Sequence, residues 1–124
     1  MSLPPLQKTA IPRRSALYMP GANARALDKA RTLDADCLLL DLEDAVAPDA
    51  KTQAREQICT ALEAGGYGMR EIVVRVNGLD TDWGHDDLAA LAKLATKKGC
   101  ALNAILAPKI STADDIDAVC AHLP

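Results

Sequence analysis

The sequence predicts an α/β fold built from parallel (β/α) units, and three observations carry that prediction. Four short apolar or β-branched runs alternate with four segments whose apolar residues recur at helical spacing, strand before helix each time. Successive strands stand roughly 20 to 35 residues apart, the separation that a right-handed crossover through a helix needs. Each strand ends in polar or turn residues, at Pro20-Gly21, Glu43-Asp44, Arg75-Asn77 and Pro108-Lys109. In parallel α/β folds that C-terminal strand edge is where sites form.

Taken in order, residues 1–12 carry prolines and lack the apolar core of a signal peptide, so they read as a flexible lead-in to a domain over 13–124. Ser15 to Met19 is short, apolar and closed by Pro20 and Gly21, as expected of a strand and a tight turn. Asn23 can cap a first helix over Ala24 to Leu33, with Leu27, Ala30 and Leu33 on one side. The run Cys37-Leu38-Leu39-Leu40 predicts a second strand buried on both faces. Pro48 and Asp49 open a second helix to about Ala64, with Ala54, Ile58, Ala61 and Leu62 inward and Gly65-Gly66 as its stop. Ile72, Val73, Val74 and Val76 make the third strand the clearest of all. The loop N-G-L-D-T-D-W-G leads to a third helix, about Asp86 to Lys98, patterned by Leu88, Leu91, Ala92 and Ala95 and ended by Gly99. A fourth strand, about Asn103 to Ala107, stops at Pro108-Lys109. Ser111 or Thr112, with Asp114 or Asp115 three residues on, then caps a helix running to the end of the chain.

Composition narrows the function classes. The 124 residues are 49% hydrophobic with a mean hydropathy of -0.01, which describes one soluble globular domain or part of one and argues against membrane residence. A net charge of -3 with scattered basic residues gives no field that would gather nucleic acid. Tyr18, Tyr67 and Trp83 are too few aromatics for a base-stacking platform. Cys37, Cys59, Cys100 and Cys120 form no C-x-x-C pair and signal neither a zinc site nor a redox motif. They read as small buried apolar residues of a cytoplasmic protein.

The chemistry concentrates in the stretch A-D-C-L-L-L-D-L-E-D-A-V-A-P. Asp41, Glu43 and Asp44 set three acids in four positions at the end of a buried strand. Like charges so close repel and lose hydration, so a metal, an arginine or a lysine should face them. The plainer alternative is that Asp44 or Asp49 caps the next helix while the other acids sit in water. Arg75 alternates with Val74 and Val76 and points to the opposite face from them. There its guanidinium is a bidentate fork for a carboxylate, whether a substrate's or that of Glu43 or Asp44 in a structural ion pair. Pro20-Gly21-Ala22-Asn23 places a glycine before unpaired helix amides, with Arg25 and Lys29 four apart on one face. That suits a phosphate, and equally an ordinary capped turn with two solvated cations.

Four segments, R-S-A-L-Y-M-P-G-A-N-A-R-A-L-D-K-A, D-C-L-L-L-D-L-E-D-A-V with K-T-Q-A-R after it, V-V-R-V-N-G, and A-P-K, resemble a known superfamily in order and spacing. It is that of the citrate lyase beta-subunit and malyl-coenzyme A lyase, with HpcH/HpaI aldolase-like members, and the resemblance covers about residues 13 to 118. It implies a (β/α)8 TIM barrel, of which this chain holds about the N-terminal half, since a closed barrel takes about 250 residues. It further implies a Mg²⁺-dependent, oligomeric carbon–carbon lyase that joins or separates a 2-oxo acid and an acyl-CoA through a citryl- or malyl-type thioester. Carried onto this sequence, Arg75 grips the oxo acid's carboxylate, and Glu43 and Asp44 hold waters of the metal shell. Gly21, Arg25 and Lys29 lie near coenzyme A phosphates, while Lys109 and Arg14 balance the acids at the barrel mouth.

In that family the acids that touch the metal belong to later strands. After Lys109 only Asp114, Asp115 and Asp117 remain, at a helix start, so no direct metal ligand is expected here and the chain alone should be inactive. Its open sheet edges then call for a second copy or for the other half of the barrel. The competing reading is a non-catalytic anion- or CoA-binding or assembly module of the same fold. An unrelated open α/β phosphate binder rests on Pro20-Gly21 alone.

Overall fold

The structure is a computed structural model that describes residues 12–124; apart from Pro12, the expected lead-in lies outside the described residues. Four strands, β1 (Ala16–Pro20), β2 (Cys37–Asp41), β3 (Glu71–Arg75) and β4 (Ala104–Leu106), pair in parallel in the order β1-β2-β3-β4. The helices α1 (Ala24–Lys29), α2 (Lys51–Ala64), α3 (Gly84–Ala95) and α4 (Ala113–Cys120) follow the strands one by one. The strand order never reverses, so right-handed crossovers put all helices on one face, as in a barrel and unlike a doubly wound sheet. The sheet is open, and the fold is a set of parallel (β/α) units consistent with part of a TIM-barrel-like domain.

Strand alternation sorts the side chains between the two faces. Leu38, Leu40, Ile72 and Val74 are wholly buried and pack with Leu27, Ile58, Leu62, Leu88 and Leu91 in one core under the helices. Tyr18, Leu39, Asp41, Val73, Arg75 and Leu106 lie on the other face, the one that a closed barrel would turn inward. No helix among the described residues is long and apolar enough to cross a membrane.

Several boundaries differ from the sequence reading for local reasons. The first helix stops at Lys29 and tightens into a 3-10 turn over Ala30–Thr32, after which Leu33 is extended. Arg31 is thereby free to donate to the Ala61 and Gly65 carbonyls at the end of α2. Pro48–Ala50 is a 3-10 turn that leads into α2. α3 begins at Gly84 and ends before Lys98, and its buried line is Gly84, Asp87, Leu88, Leu91 and Leu94, whereas Ala95 is exposed. Of the two cap pairs expected for α4, Thr112 with Asp115 forms a reciprocal capping box. Cys37 is buried but Cys120 is exposed, which corrects the expectation of four buried thiols.

Candidate active site

The register of β2 and β3 sets Asp41 directly beside Arg75. Arg75 Nε donates to Asp41 Oδ1 at 2.8 Å and Nη2 to Oδ2 at 2.7 Å, a planar fork on a carboxylate. The same carboxylate, wholly buried, accepts the Glu43 amide at 2.8 Å and the Ala45 amide at 3.0 Å. Burial pushes the Asp41 carboxyl up, but these four donors outweigh it and hold the group below the ordinary carboxylate range. The Asp41 carboxylate in turn raises the Arg75 guanidinium above its usual value. The arginine reaches back across the open face, with Cζ 4.8 Å from the centre of the Tyr18 ring on β1. Arginine has five N–H groups and Asp41 takes two; the end-on edge, Nη1 with the second Nη2 hydrogen, has no hydrogen-bond partner among the described residues and can receive another carboxylate.

Glu43 stands next to this pair. Its Oε1 lies 3.5 Å from Arg75 Nε and its Oε2 3.2 Å from Lys109 Nζ. The acids of the second strand are thus faced by an arginine and a lysine. Lys109 follows Pro108 with φ at +52°, the one non-glycine residue with positive φ among the described residues, a conformation that the surrounding structure must enforce. The hydrogen bond to Glu43 raises its ammonium above the usual lysine value. Asp44 is exposed.

The loop that carries Glu43 is clamped from beneath. Lys51 Nζ, on a residue only 6% exposed, donates to the carbonyls of Leu42 (3.0 Å) and Glu43 (2.9 Å) and sits 5.1 Å from the centre of the Trp83 ring. After β3, buried Asp87 accepts the backbone amide and side-chain Nδ2 of Asn77 at 3.0 and 2.7 Å. Arg55 Nε closes on its other oxygen at 2.8 Å. The sequence marks Asp41 as one of three clustered acids but not as the partner of Arg75, and it gives Lys51, Arg55 and Asp87 no role, nor Asn77 one beyond closing its strand. Lys51 and Arg55 do stand in the K-T-Q-A-R segment, and Asn77 in V-V-R-V-N-G, so the motifs marked the places without the roles.

Gly21 reaches the same edge through packing. Its amide donates to the Asp41 carbonyl at 2.8 Å, and a Cβ there would stand 2.7 Å from that oxygen and 2.7 Å from Ile58 Cδ1. With its amide oriented to donate, Gln57 bonds the Gly21 and Ala22 carbonyls at 3.0 Å each. Asn23 caps the Ala26 amide at 3.0 Å, so the turn's polar groups are largely engaged. Arg25 and Lys29 are exposed and border a shallow groove on α1 with Asn23 and Asp28.

Arg14 does not belong to this edge. It precedes β1 and forks onto Asp36, which precedes β2, with contacts of 2.9 and 3.0 Å. It therefore lies at the N-terminal end of the sheet, and the expectation that it balances acids at the mouth is corrected. As for Mg²⁺, no group of three or more potential ligands gathers among the described residues. Both Glu43 oxygens contact cations, Arg75 and Lys109, and Asp44 is exposed to solvent.

Residues 14–123 match the family model HpcH/HpaI aldolase/citrate lyase. A (3S)-malyl-CoA thioesterase of Cereibacter sphaeroides is 51% identical over 93% of this chain and 38% of its own length. An L-malyl-CoA/beta-methylmalyl-CoA lyase of the same organism is 40% identical over 89% of this chain and 34% of its own. This chain therefore spans a little over a third of the length of those relatives. Among solved structures, CitE from Mycobacterium tuberculosis, in complex with magnesium, acetoacetate and coenzyme A, is 30% identical with a TM-score of 0.64, over 84% of this chain and 35% of that one. RipC from Yersinia pestis is 27% identical with a TM-score of 0.62, over 88% of this chain and 40% of that one. The chain belongs to the HpcH/HpaI aldolase/citrate lyase family.

Proposed function

We propose that this chain supplies the carboxylate-gripping part of a site for a malyl-type coenzyme A thioester. The observation that carries this reading is the Asp41–Arg75 fork, which fixes the guanidinium and leaves its end-on N–H edge at the C-terminal edge of the sheet. Glu43 and Lys109 beside it form a charged rim. Exposed Arg25 and Lys29 on α1 suit the coenzyme's phosphates, and association through the open sheet edges belongs to the same reading.

With the carboxylate held, two bonds of such a substrate can break. In carbon–carbon cleavage the hydroxyl loses its proton, the bond between its carbon and the thioester's α-carbon breaks, and a 2-oxo acid and the thioester enolate result; a proton then completes the acyl-CoA. In thioester hydrolysis water attacks the thioester carbonyl and coenzyme A leaves as thiol. Mg²⁺, when bound, supplies Lewis-acid stabilisation of negative charge developing on oxygen. The sequence motifs favour carbon–carbon cleavage, whereas the higher identity to the thioesterase, 51% against 40%, favours hydrolysis.

Product analysis separates them. This sequence is grafted in place of the matching segment of the thioesterase and assayed with malyl-CoA and Mg²⁺. Acyl-CoA with an oxo acid marks the lyase, and free thiol with the hydroxydiacid marks the hydrolase. In either case Arg75→Lys, which cannot keep both forks, lowers kcat/KM by about 10-fold or more. Unchanged kinetics would reduce Arg75 to a structural role and overturn the proposal.

A further inference from the structure

We propose that His85 and His122 form a chelating site for one divalent transition metal of the imidazole-preferring class, shared between α3 and the end of α4. They are the two histidines of the chain, 37 positions apart, yet His85 Nδ1 stands 3.2 Å from His122 Nε2 with ring centroids 5.0 Å apart. Two nitrogens each about 2.0–2.1 Å from one tetrahedral ion stand about 3.3 Å from one another. The rings are therefore already at chelating separation; His85 is exposed and His122 half-buried, and a small rotation of the His85 ring aims both lone pairs at one ion.

The tautomers fit as well. His122 Nδ1 lies 2.8 Å from the Ala118 carbonyl, which only accepts, so Nδ1 carries the proton and Nε2 presents a bare lone pair toward His85. A ring N–H held by a backbone carbonyl is the usual support of a metal-bound histidine. Without metal, His85 Nδ1–H donates to that lone pair. On binding, His85 gives up the Nδ1 proton and takes one at Nε2, a tautomer change with no net proton release, and waters fill the remaining positions. Imidazole pairs suit Zn²⁺, Ni²⁺ or Cu²⁺ and not Mg²⁺, which prefers oxygen. None of the Asp41, Glu43 and Arg75 chemistry is involved. α4 has no fully buried residue, so an ion bridging His122 to α3 would also tie that helix down.

Calorimetric titration of the 124-residue chain with ZnCl₂ under reducing conditions tests the site, alongside His85→Gln, His122→Gln and Cys120→Ser. The expected result is one Zn²⁺ per chain, weakened about 10-fold or more by either histidine substitution. Cys120→Ser should leave it unchanged, and MgCl₂ at the same concentrations should give no saturable binding. Saturable zinc should also slow proteolysis within α4 in the parent chain and in Cys120→Ser, but in neither histidine variant. Absence of saturable zinc binding, survival of full affinity in the histidine variants, or its loss in Cys120→Ser, which would assign the ion to a thiol, each overturns the proposal.

Discussion

Both ends of the sheet carry arginine–carboxylate forks, and the two ends do different things with the same chemistry. At the N-terminal end Arg13 binds Glu71 and Arg14 binds Asp36, with arginine side chains 65% and 79% exposed. At the C-terminal end Arg75 is 20% exposed and its partner Asp41 is wholly buried. Water competes for the donors of both outer arginines; the Arg14–Asp36 pair pins the chain ahead of the strands and contributes little more, whereas Glu71 is itself only 7% exposed. Around Asp41 four protein donors satisfy one carboxylate, which fixes the guanidinium and leaves its unused edge oriented in a partly desolvated place. In the proposed reading, burial of both partners, and not the ion pair as such, suits a fork to recognition.

The comparison breaks most readily at Asp41. Asp41→Ala leaves Arg75 and two amides without their acceptor, and stripping one partner from a buried pair costs about 3–5 kcal/mol, read as a drop in urea midpoint. A loss below about 1 kcal/mol would place Asp41 with the exposed pairs. Gly21→Ala pushes a methyl against the Asp41 carbonyl and Ile58, and overpacking of this kind costs about 1–3 kcal/mol; thermal unfolding of the variant measures it. Arg14→Ala should stay within about 1 kcal/mol and shrink further in high salt. A large salt-insensitive loss there would erase the distinction between the two ends.

Acid titration gives the finest test. Arg14's hydrogen bonds lower the Asp36 carboxyl to about 2. A group depressed in the folded state contributes fully above its unfolded value, about 3.9. Its contribution is lost as pH falls from there towards about 2. Asp41 is depressed as well and loses its contribution in the same direction. Arg14→Ala should flatten the part of the acid stability curve that belongs to Asp36 and leave the Asp41 part in place. An unchanged acid limb would show that the Arg14–Asp36 pair is absent in solution.

Much of this was legible in the sequence because each strand is an apolar run that ends where polarity begins. That pattern places Glu43, Arg75 and Lys109 at one edge, and alternation with Val74 and Val76 turns Arg75 onto the open face. The partner of Arg75 was not legible, since a single chain does not give strand register. Only the pairing of β2 with β3 opposes Asp41 to Arg75, whereas the sequence offered Glu43 or Asp44. Lys51, at a helix start, reads as a solvated cation, and only the fold of the preceding loop bends two carbonyls onto it. Arg14 was misassigned because its motif membership outweighed a simpler fact: a residue ahead of a strand lies at the edge opposite the site.

The unused edge of Arg75 can be observed directly by titrating a 2-oxo acid into the ¹⁵N-labelled chain and following the arginine side-chain resonances. Arg75 Nη signals should shift and saturate while its Nε signal, locked to Asp41, stays in place, and the Arg13 and Arg14 signals should respond no more than to an equal concentration of chloride. An Arg75 that does not move, or an Arg14 that moves as far, would contradict the assignment of recognition to the buried end of the sheet.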